Sequence, residues 1–264
     1  MAITALLAAL AVGSGGMIGL TLGLVGGGGS ILAVPLLVYL VGVPSPHVAI
    51  GTAAIAVALN AAFGLAVHAR LGTVKWRCSA VFAAAGVVGS AIGAAAGKAM
   101  DGQRLLALFG LVMIAVALAM LKGNSDGGDP HIRLSRATAM QLLPWLVGTG
   151  FGVGLLAGFF GIGGGFLIVP ALMLATGMPL TNAVGTSLVA VTAFGLTTAG
   201  SYAASGLVDW PLAALLVSGG AAGSLAGSRL NQILAQQKRH LTVLFGAIVL
   251  LVGSVLLLRG FSLS

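Results

Sequence analysis

The stretch GLVGGGGSILAVP, residues 23–35, places four consecutive glycines inside a long apolar run. Each glycine costs about 1 kcal/mol in a helix interior relative to alanine, so four in a row followed by Pro35 predict a break in the helix. Within a membrane a break leaves backbone groups unpaired, and it persists only where it is buried in protein or lines a polar cavity. The break therefore requires a structural or functional reason.

The composition predicts a polytopic membrane protein. Of the 264 residues, 59% are hydrophobic and 6% are charged, whereas about 25% of the residues of a soluble domain are charged. The apolar runs are continuous rather than alternating, which favours helices over a β-barrel. Runs of small residues at residues 19–23, 89–97 and 220–227 are typical of helices that pack closely in lipid. We predict an all-α fold of about ten helical segments, including short or broken helices.

The second half of the chain repeats the first. GGGGSILAVP at residues 26–35 matches GIGGGFLIVP at residues 161–170, and HARLGTVKW at residues 68–76 matches YAASGLVDW at residues 202–210. A polar stretch, KGNSDGGDPHIRLSR, separates the halves and has the composition of a linker. We predict a first transmembrane repeat over 1–121, a polar cytoplasmic linker over 122–136 and a second, inverted transmembrane repeat over 137–264.

The basic residues predict that the two repeats have opposite orientations. The loop over residues 70–77 carries Arg70, Lys75 and Arg77, whereas its counterpart over residues 205–211 carries only Asp209. By the positive-inside rule these loops face opposite sides of the membrane, so each repeat crosses an odd number of times. Both termini are then on the outer side of a cell inner (plasma) membrane. Five crossings per repeat fit the apolar segments, and three fit if 30–42 and 165–177 are half-helices or re-entrant.

The two glycine-rich breaks occupy corresponding positions in the repeats, which is a sequence sign of a transporter binding site. Helices are expected to begin near Ser30 and Phe166. A helix N-terminus carries roughly half a positive charge and free N–H groups, so a pair of them favours an anionic substrate. The alternative is that the glycines only permit tight packing or a turn at the membrane surface.

The predicted substrate-binding residues are the glycines of both breaks and the polar side chains that follow them. They are Gly26, Gly27, Gly28, Gly29, Ser30, Thr52 and Asn60 in the first half, and Gly161, Gly163, Gly164, Gly165, Thr186 and Ser187 in the second. The hydroxyl groups can donate hydrogen bonds to an oxyanion, although Ser and Thr also commonly bond their own helix carbonyls. The Asn60 amide either joins two helices or faces the transport pathway.

Polar residues near the helix ends leave the coupling ion open. His47 and Asn182 occupy nearby positions in the two halves, as do His68 and Tyr202, and their places favour anchoring at the membrane interface. A carboxylate proton relay is disfavoured because the acidic residues all lie in loops or at helix ends: Asp101, Asp126, Asp129 and Asp209. A histidine could titrate, the substrate could carry the proton, or the protein could be a uniporter.

Several of these motifs together resemble one family. They are the two glycine-rich motifs with Val34-Pro35 and Val169-Pro170, the elements Gly51-Thr52 and Gly185-Thr186-Ser187, and the loops ending in Trp76 and Trp210. Over nearly its whole length the chain resembles the TauE/SafE sulfite exporters, also called the toluene-sulfonate uptake permease family. The resemblance implies a prokaryotic-type inner-membrane transporter of sulfite, sulfonates or related small organosulfur anions, with the glycine-rich segments as the substrate region.

The sequence favours a secondary transporter working by alternating access, and the alternative is an anion channel with a permanent glycine-lined filter. An enzyme is disfavoured because the four histidines have no nearby intramembrane carboxylates. We expect no cofactor, no metal and no nucleic-acid partner. The expected partners are a small anionic substrate, a sulfur oxyanion, and the lipid bilayer, and a homo-oligomer is left open.

Overall fold

A computed structural model describes residues 5–122, 138–161, 165–233, 249–254 and 256–257. These residues are overwhelmingly helical and include no strand, so the predicted all-α class is confirmed. Residues 123–136 of the predicted linker lie outside the described residues, as do Gly163 and Gly164.

Six of the described helices are long and apolar enough to cross a membrane, which confirms a multi-pass membrane protein. These six are α1 (Ala5–Val25), α3 (Pro46–Arg70), α4 (Trp76–Ala99), α6 (Ala139–Phe160), α8 (Leu180–Ala203) and α9 (Trp210–Ile233). The others are α2 (Ala33–Pro35), α5 (Gly102–Lys122) and α7 (Gly165–Thr176), and residues 249–254 are also helical.

The first glycine-rich break is tightly wound rather than open. A 3₁₀-helix runs over Gly26–Leu32, so Ser30 lies inside it and regular α-helix begins only at Ala33. Glycine suits this winding because the side chains of a 3₁₀-helix eclipse one another. Pro35 lacks an N–H and crowds the preceding turn, and a π-helical turn over Leu36–Leu40 follows it. In the second half, α7 begins at Gly165, close to the predicted start.

Glycines bring α1 against α9 and α4 against α6, each pair running parallel. Three glycines of α1 meet α9 in the same chain order: Gly15 at Leu216, Gly19 at Gly220 and Gly23 at Ser224. In the same way α4 meets α6, with Gly86 at Gly150, Gly93 at Leu155 and Gly97 at Phe159. A Cβ at any of these glycines would overlap the facing backbone or side chain. The small-residue runs therefore pack helices, as the sequence predicts.

The two most buried helices, α3 and α8, pack against each other in opposite directions. From one end to the other, Gly51 lies beside Tyr202, Ala58 beside Gly195, Gly64 beside Leu188 and His68 beside Gly185. We call the two ends of this pair the His47 end, with Gly51 and Tyr202, and the His68 end, with Gly185.

Each stretch of chain that contains a glycine-rich break leads from one end of the α3–α8 pair to the other. Gly26 packs against Val184 at the His68 end, and the chain reaches the His47 end when α3 begins at Pro46. In the second half, Gly161 packs against Ile50 at the His47 end, and α8 begins at Leu180 at the other. Neither segment returns to the end from which it started, as a re-entrant piece would.

Replacing Gly154 by alanine should destabilise the fold, because the new Cβ would overlap the backbone of Gly86 where α6 meets α4. The expected loss is about 1–3 kcal/mol. Gly152→Ala is the matched control on the same helix, because no atom lies within 4 Å of its Cβ position. Thermal unfolding in detergent measures both, and equal melting temperatures would contradict the packing described.

Candidate functional site

The first glycines of the two breaks make equivalent contacts at opposite ends of the helix pair. Gly26 has φ +68° and lies against Val184, and Gly161 has φ +69° and lies against Ile50. Both conformations are left-handed and both neighbours are close, so a side chain is disfavoured at each position for two reasons. The sequence match between the halves makes Gly26 the counterpart of Gly161, and Ile50 the counterpart of Val184.

The predicted threonines each hold a loop from the other half of the chain. Thr186 Oγ1 accepts a hydrogen bond of 3.0 Å from the main-chain N–H of Lys75, and Thr52 Oγ1 accepts one of 3.0 Å from that of Asp209. Both threonines are fully buried. The sequence match makes these two bonds counterparts, one at each end of the helix pair, and we call them the threonine latches.

Asn60 lies midway along the helix pair. Its side chain is fully buried and neither amide atom has a hydrogen-bond partner, although its main-chain oxygen accepts a bond of 3.2 Å from Ser224 Oγ. The amide covers Gly220 of α9, and at the corresponding position in the second half the Phe194 ring covers Gly86 of α4. An unpaired buried amide costs free energy, and the ring that replaces it in the other half has no such cost.

The remaining predicted residues are divided between the breaks and the helix pair. Gly27, Gly28, Gly29 and Ser30 lie in the 3₁₀-helix, Ser30 fully buried, and Gly165 is the first residue of α7. Ser187 Oγ donates to Val184 O on its own helix at 2.8 Å. The structure therefore brings predicted residues to both ends and the middle of the helix pair rather than to one point.

His68 and Tyr202 are buried inside the bundle, and the prediction that they anchor the protein at the membrane interface is wrong. His68 is 3% exposed and Tyr202 is 0% exposed. The loop after α3 folds back over His68, with His68 Nδ1 3.0 Å from Thr73 Oγ1. Asn182 Nδ2 donates to Thr73 O at 3.0 Å and holds the loop on α8. In the sequence, this loop is marked by its match to the glycine-containing loop over residues 205–210 of the second half.

At the His47 end, two further contacts join separate helices. His47 Nε2 donates to Met100 O at 3.1 Å. Lys98 Nζ, in the last turn of α4, donates to Ser201 O and to Ser205 Oγ, both at 2.9 Å. Its positive charge lies at the C-terminus of α8, where the helix dipole is negative. Sequence analysis did not identify Lys98, although it is the one charged residue between Arg77 and Asp101.

The described carboxylates cap helices. Asp101 Oδ1 accepts from the N–H of Arg104 at 3.1 Å at the start of α5, and Asp209 Oδ1 accepts from the N–H of Leu212 at 3.0 Å at the start of α9. In the described ranges no three His, Cys, Asp or Glu side chains are grouped closely enough to hold a metal ion.

The apolar helices of membrane length define a multi-pass membrane protein. The family model described as sulfite exporter TauE/SafE matches residues 11–256. The chain belongs to this family, and it is a membrane transporter.

Named relatives are similar over nearly their whole length. The chain is 47% identical over 251 residues to a probable membrane transporter protein of Xylella fastidiosa (strain 9a5c), covering 95% of each chain. It is 30% identical over 269 residues to the probable membrane transporter protein YunE of Bacillus subtilis (strain 168), covering 93% of this chain and 96% of that one. No solved structure matches the chain.

Thr52→Val and Thr186→Val should each destabilise the protein by about 1–3 kcal/mol, because valine keeps the shape but leaves a buried N–H without its acceptor. Thr192→Val is the control, because the Thr192 hydroxyl bonds only Leu188 O within α8. Melting temperatures in detergent should fall for the two latch variants and change little for the control. A control as unstable as the latch variants would contradict the role of the latches.

Proposed function

We propose that this transporter is a secondary carrier of a small anion, namely sulfite, a sulfonate or a related organosulfur anion, and that it works by alternating access between two inverted repeats. The observation that carries the proposal is the antiparallel packing of α3 on α8 with the same contacts made at both ends. The description of the family as sulfite exporters supports the substrate class.

The direction of the helices supports inversion of the repeats. The sequence match makes α3 and α8 counterparts, and they run in opposite directions. A twofold axis lying across the pair, between Asn60 and Phe194, relates helices in this way. The same operation exchanges the parallel pair α1–α9 with the pair α6–α4. Inverted repeats allow two states of similar packing, one open at each side.

The threonine latches supply the two closures that alternating access requires. Each latch ties a loop after one helix of the pair to the start of the other helix. Releasing one latch opens one end of the pair while the second keeps the other end closed. The positive-inside rule then places the His68 end, with Arg70, Lys75 and Arg77, on the cytoplasmic side of an inner membrane.

An anion is favoured by what the described spans contain. The N-terminus of α7 at Gly165 offers N–H groups and partial positive charge, and the described acidic residues lie at helix ends. The Asn60 amide offers a donor at the middle of the pair. The site would therefore be lined by the breaks, Asn60 and the threonines.

Sulfite uptake into proteoliposomes should saturate with concentration and should accelerate when unlabelled sulfite is present inside, as expected for a carrier. An anion channel with a permanent filter would show neither property. Gly26→Ala and Gly161→Ala should abolish uptake, because each adds a Cβ at a left-handed position against a neighbouring side chain.

Gly42→Ala is the matched control for these variants. Gly42 also has positive φ, but no atom lies within 4 Å of its Cβ position. Uptake by this variant should persist. Monodisperse elution of every variant in detergent separates loss of transport from loss of folding, and wild-type protein without sulfite flux would refute the proposed substrate.

Asn60→Leu should stabilise the protein and slow transport. Leucine has nearly the same size and removes a buried amide without partners. The free energy of unfolding should therefore rise by about 1–3 kcal/mol, and the melting temperature should rise with it. If the amide contacts the anion, the initial rate of sulfite uptake should fall at least tenfold. A stabilised variant with wild-type uptake would remove Asn60 from the pathway.

A further inference from the structure

The His47 ring carries its proton on Nε2. That nitrogen lies 3.1 Å from Met100 O, a carbonyl oxygen that can only accept, so the neutral ring has its proton there. The other nitrogen, Nδ1, then carries a free lone pair. Nδ1 is buried and has no hydrogen-bond partner among the residues that the structure describes. It is therefore a proton acceptor that the fold leaves unused.

Tyr202 of α8 faces the same ring with a second unused polar group. The two ring centroids are 6.4 Å apart with their planes at 35°. The Tyr202 side chain is completely buried, and among the described residues its hydroxyl has no hydrogen-bond partner. Buried tyrosine hydroxyls usually form a hydrogen bond, so this one has a donor to offer a ligand.

A positive charge lies beside the Tyr202 ring. Lys98 Nζ is 5.9 Å from the centroid of the Tyr202 ring. Two of the three N–H donors of its ammonium group bond Ser201 O and Ser205 Oγ, which leaves one. Three different helices thus contribute one group each: α3 a ring nitrogen without a proton, α8 a hydroxyl donor and α4 a cation.

We propose that His47, Tyr202 and Lys98 form an anion-binding site at the His47 end, and that the anion binds there together with one proton on His47 Nδ1. The inference rests on the proposed function and gives it a coupling ion. An unprotonated Nδ1 repels an anion oxygen, because both present lone pairs, whereas a protonated Nδ1 donates a hydrogen bond to it. A bound anion stabilises the added positive charge on the ring, so proton and anion favour each other's binding.

The other charged groups on the elements around His47 are already engaged or lie at the surface. Asp101 is exposed and caps α5, and Asp209 caps α9. Arg104 of α5 is exposed. Neither carboxylate is hydrogen-bonded to the His47 ring among the described contacts.

The opposite end of the helix pair also buries a histidine. The Thr73 hydroxyl donates to His68 O at 3.2 Å, and His68 Nδ1 lies 3.0 Å from Thr73 Oγ1. His68 is the counterpart of Tyr202 in the sequence match, so each half of the chain buries a polar ring at this position.

Calorimetric titration of the purified full-length protein with sulfite tests the site. Titrations in two buffers of different protonation enthalpy give the number of protons taken up per sulfite bound. Wild type should take up about one proton more than His47→Gln, whose amide keeps a donor for Met100 O but cannot titrate. Protonation of sulfite itself contributes equally to both proteins and cancels in the difference.

Tyr202→Phe tests the hydroxyl and should weaken sulfite binding about tenfold. Because this hydroxyl has no partner in the fold, a purely structural tyrosine would tolerate the change with unaltered affinity. Tyr39→Phe is the matched control, since it removes the same group from a tyrosine that is 37% exposed, and it should bind as wild type does.

Methanesulfonate, whose charge is constant between about pH 5 and 8, is the second probe. Its affinity for wild type should fall as pH rises and should not vary with pH in His47→Gln. Equal proton uptake in wild type and His47→Gln, or unchanged affinity in Tyr202→Phe, would overturn the site alone. Failure of wild type to bind either anion would overturn the proposed function as well.

Discussion

The close contact of α3 with α8 is the constraint on which the rest of the structure depends. In lipid, helices gain nothing from hiding apolar surface from water, so they associate through close packing and hydrogen bonds. Gly51 and Gly185 let the loops after α8 and α3 approach closely: a Cβ on Gly51 would overlap Leu207 O, and one on Gly185 would press on Thr73. With the loops so close, the following threonines bond the main chain of Asp209 and Lys75. The Gly-Thr dipeptide acts as one unit, in which the glycine permits the approach and the threonine accepts the bond.

The packing is nearly symmetric, but the side chains at equivalent places are not. Phe194 fits its place without cost, because its ring covers Gly86 and stacks on Phe82 with centroids 6.1 Å apart. Its counterpart Asn60 buries an amide with no partner. Folding alone would favour an apolar side chain at both positions. Differences of this kind indicate where function, rather than packing, has determined the residue type.

Composition and a repeat that can be matched residue by residue predict the helices, the glycine-rich breaks and the packing of helices through small residues. They do not predict the burial of His68 and Tyr202. A helix that is apolar on every side gives no periodicity to show which face meets another helix and which meets lipid. The loop that covers His68 depends on Asn182, a residue far away in the chain. Lys98 was missed for the same reason, because its partners Ser201 and Ser205 belong to the other half.

The position of the breaks changes how their electrostatic effect must be understood. Two helix N-termini facing one point would add their partial charges there, as the sequence suggested. In the structure Gly26 lies near the level of His68 and Gly161 at the level of Ile50, which are roughly 27 Å apart along α3 at 1.5 Å per residue. The first residues of the two breaks therefore lie at opposite ends of the pair, and Asn60 lies between them. An anion carried along the pair, as proposed, would meet polar groups at both ends and in the middle rather than at one point, so no single point would hold it too strongly to leave.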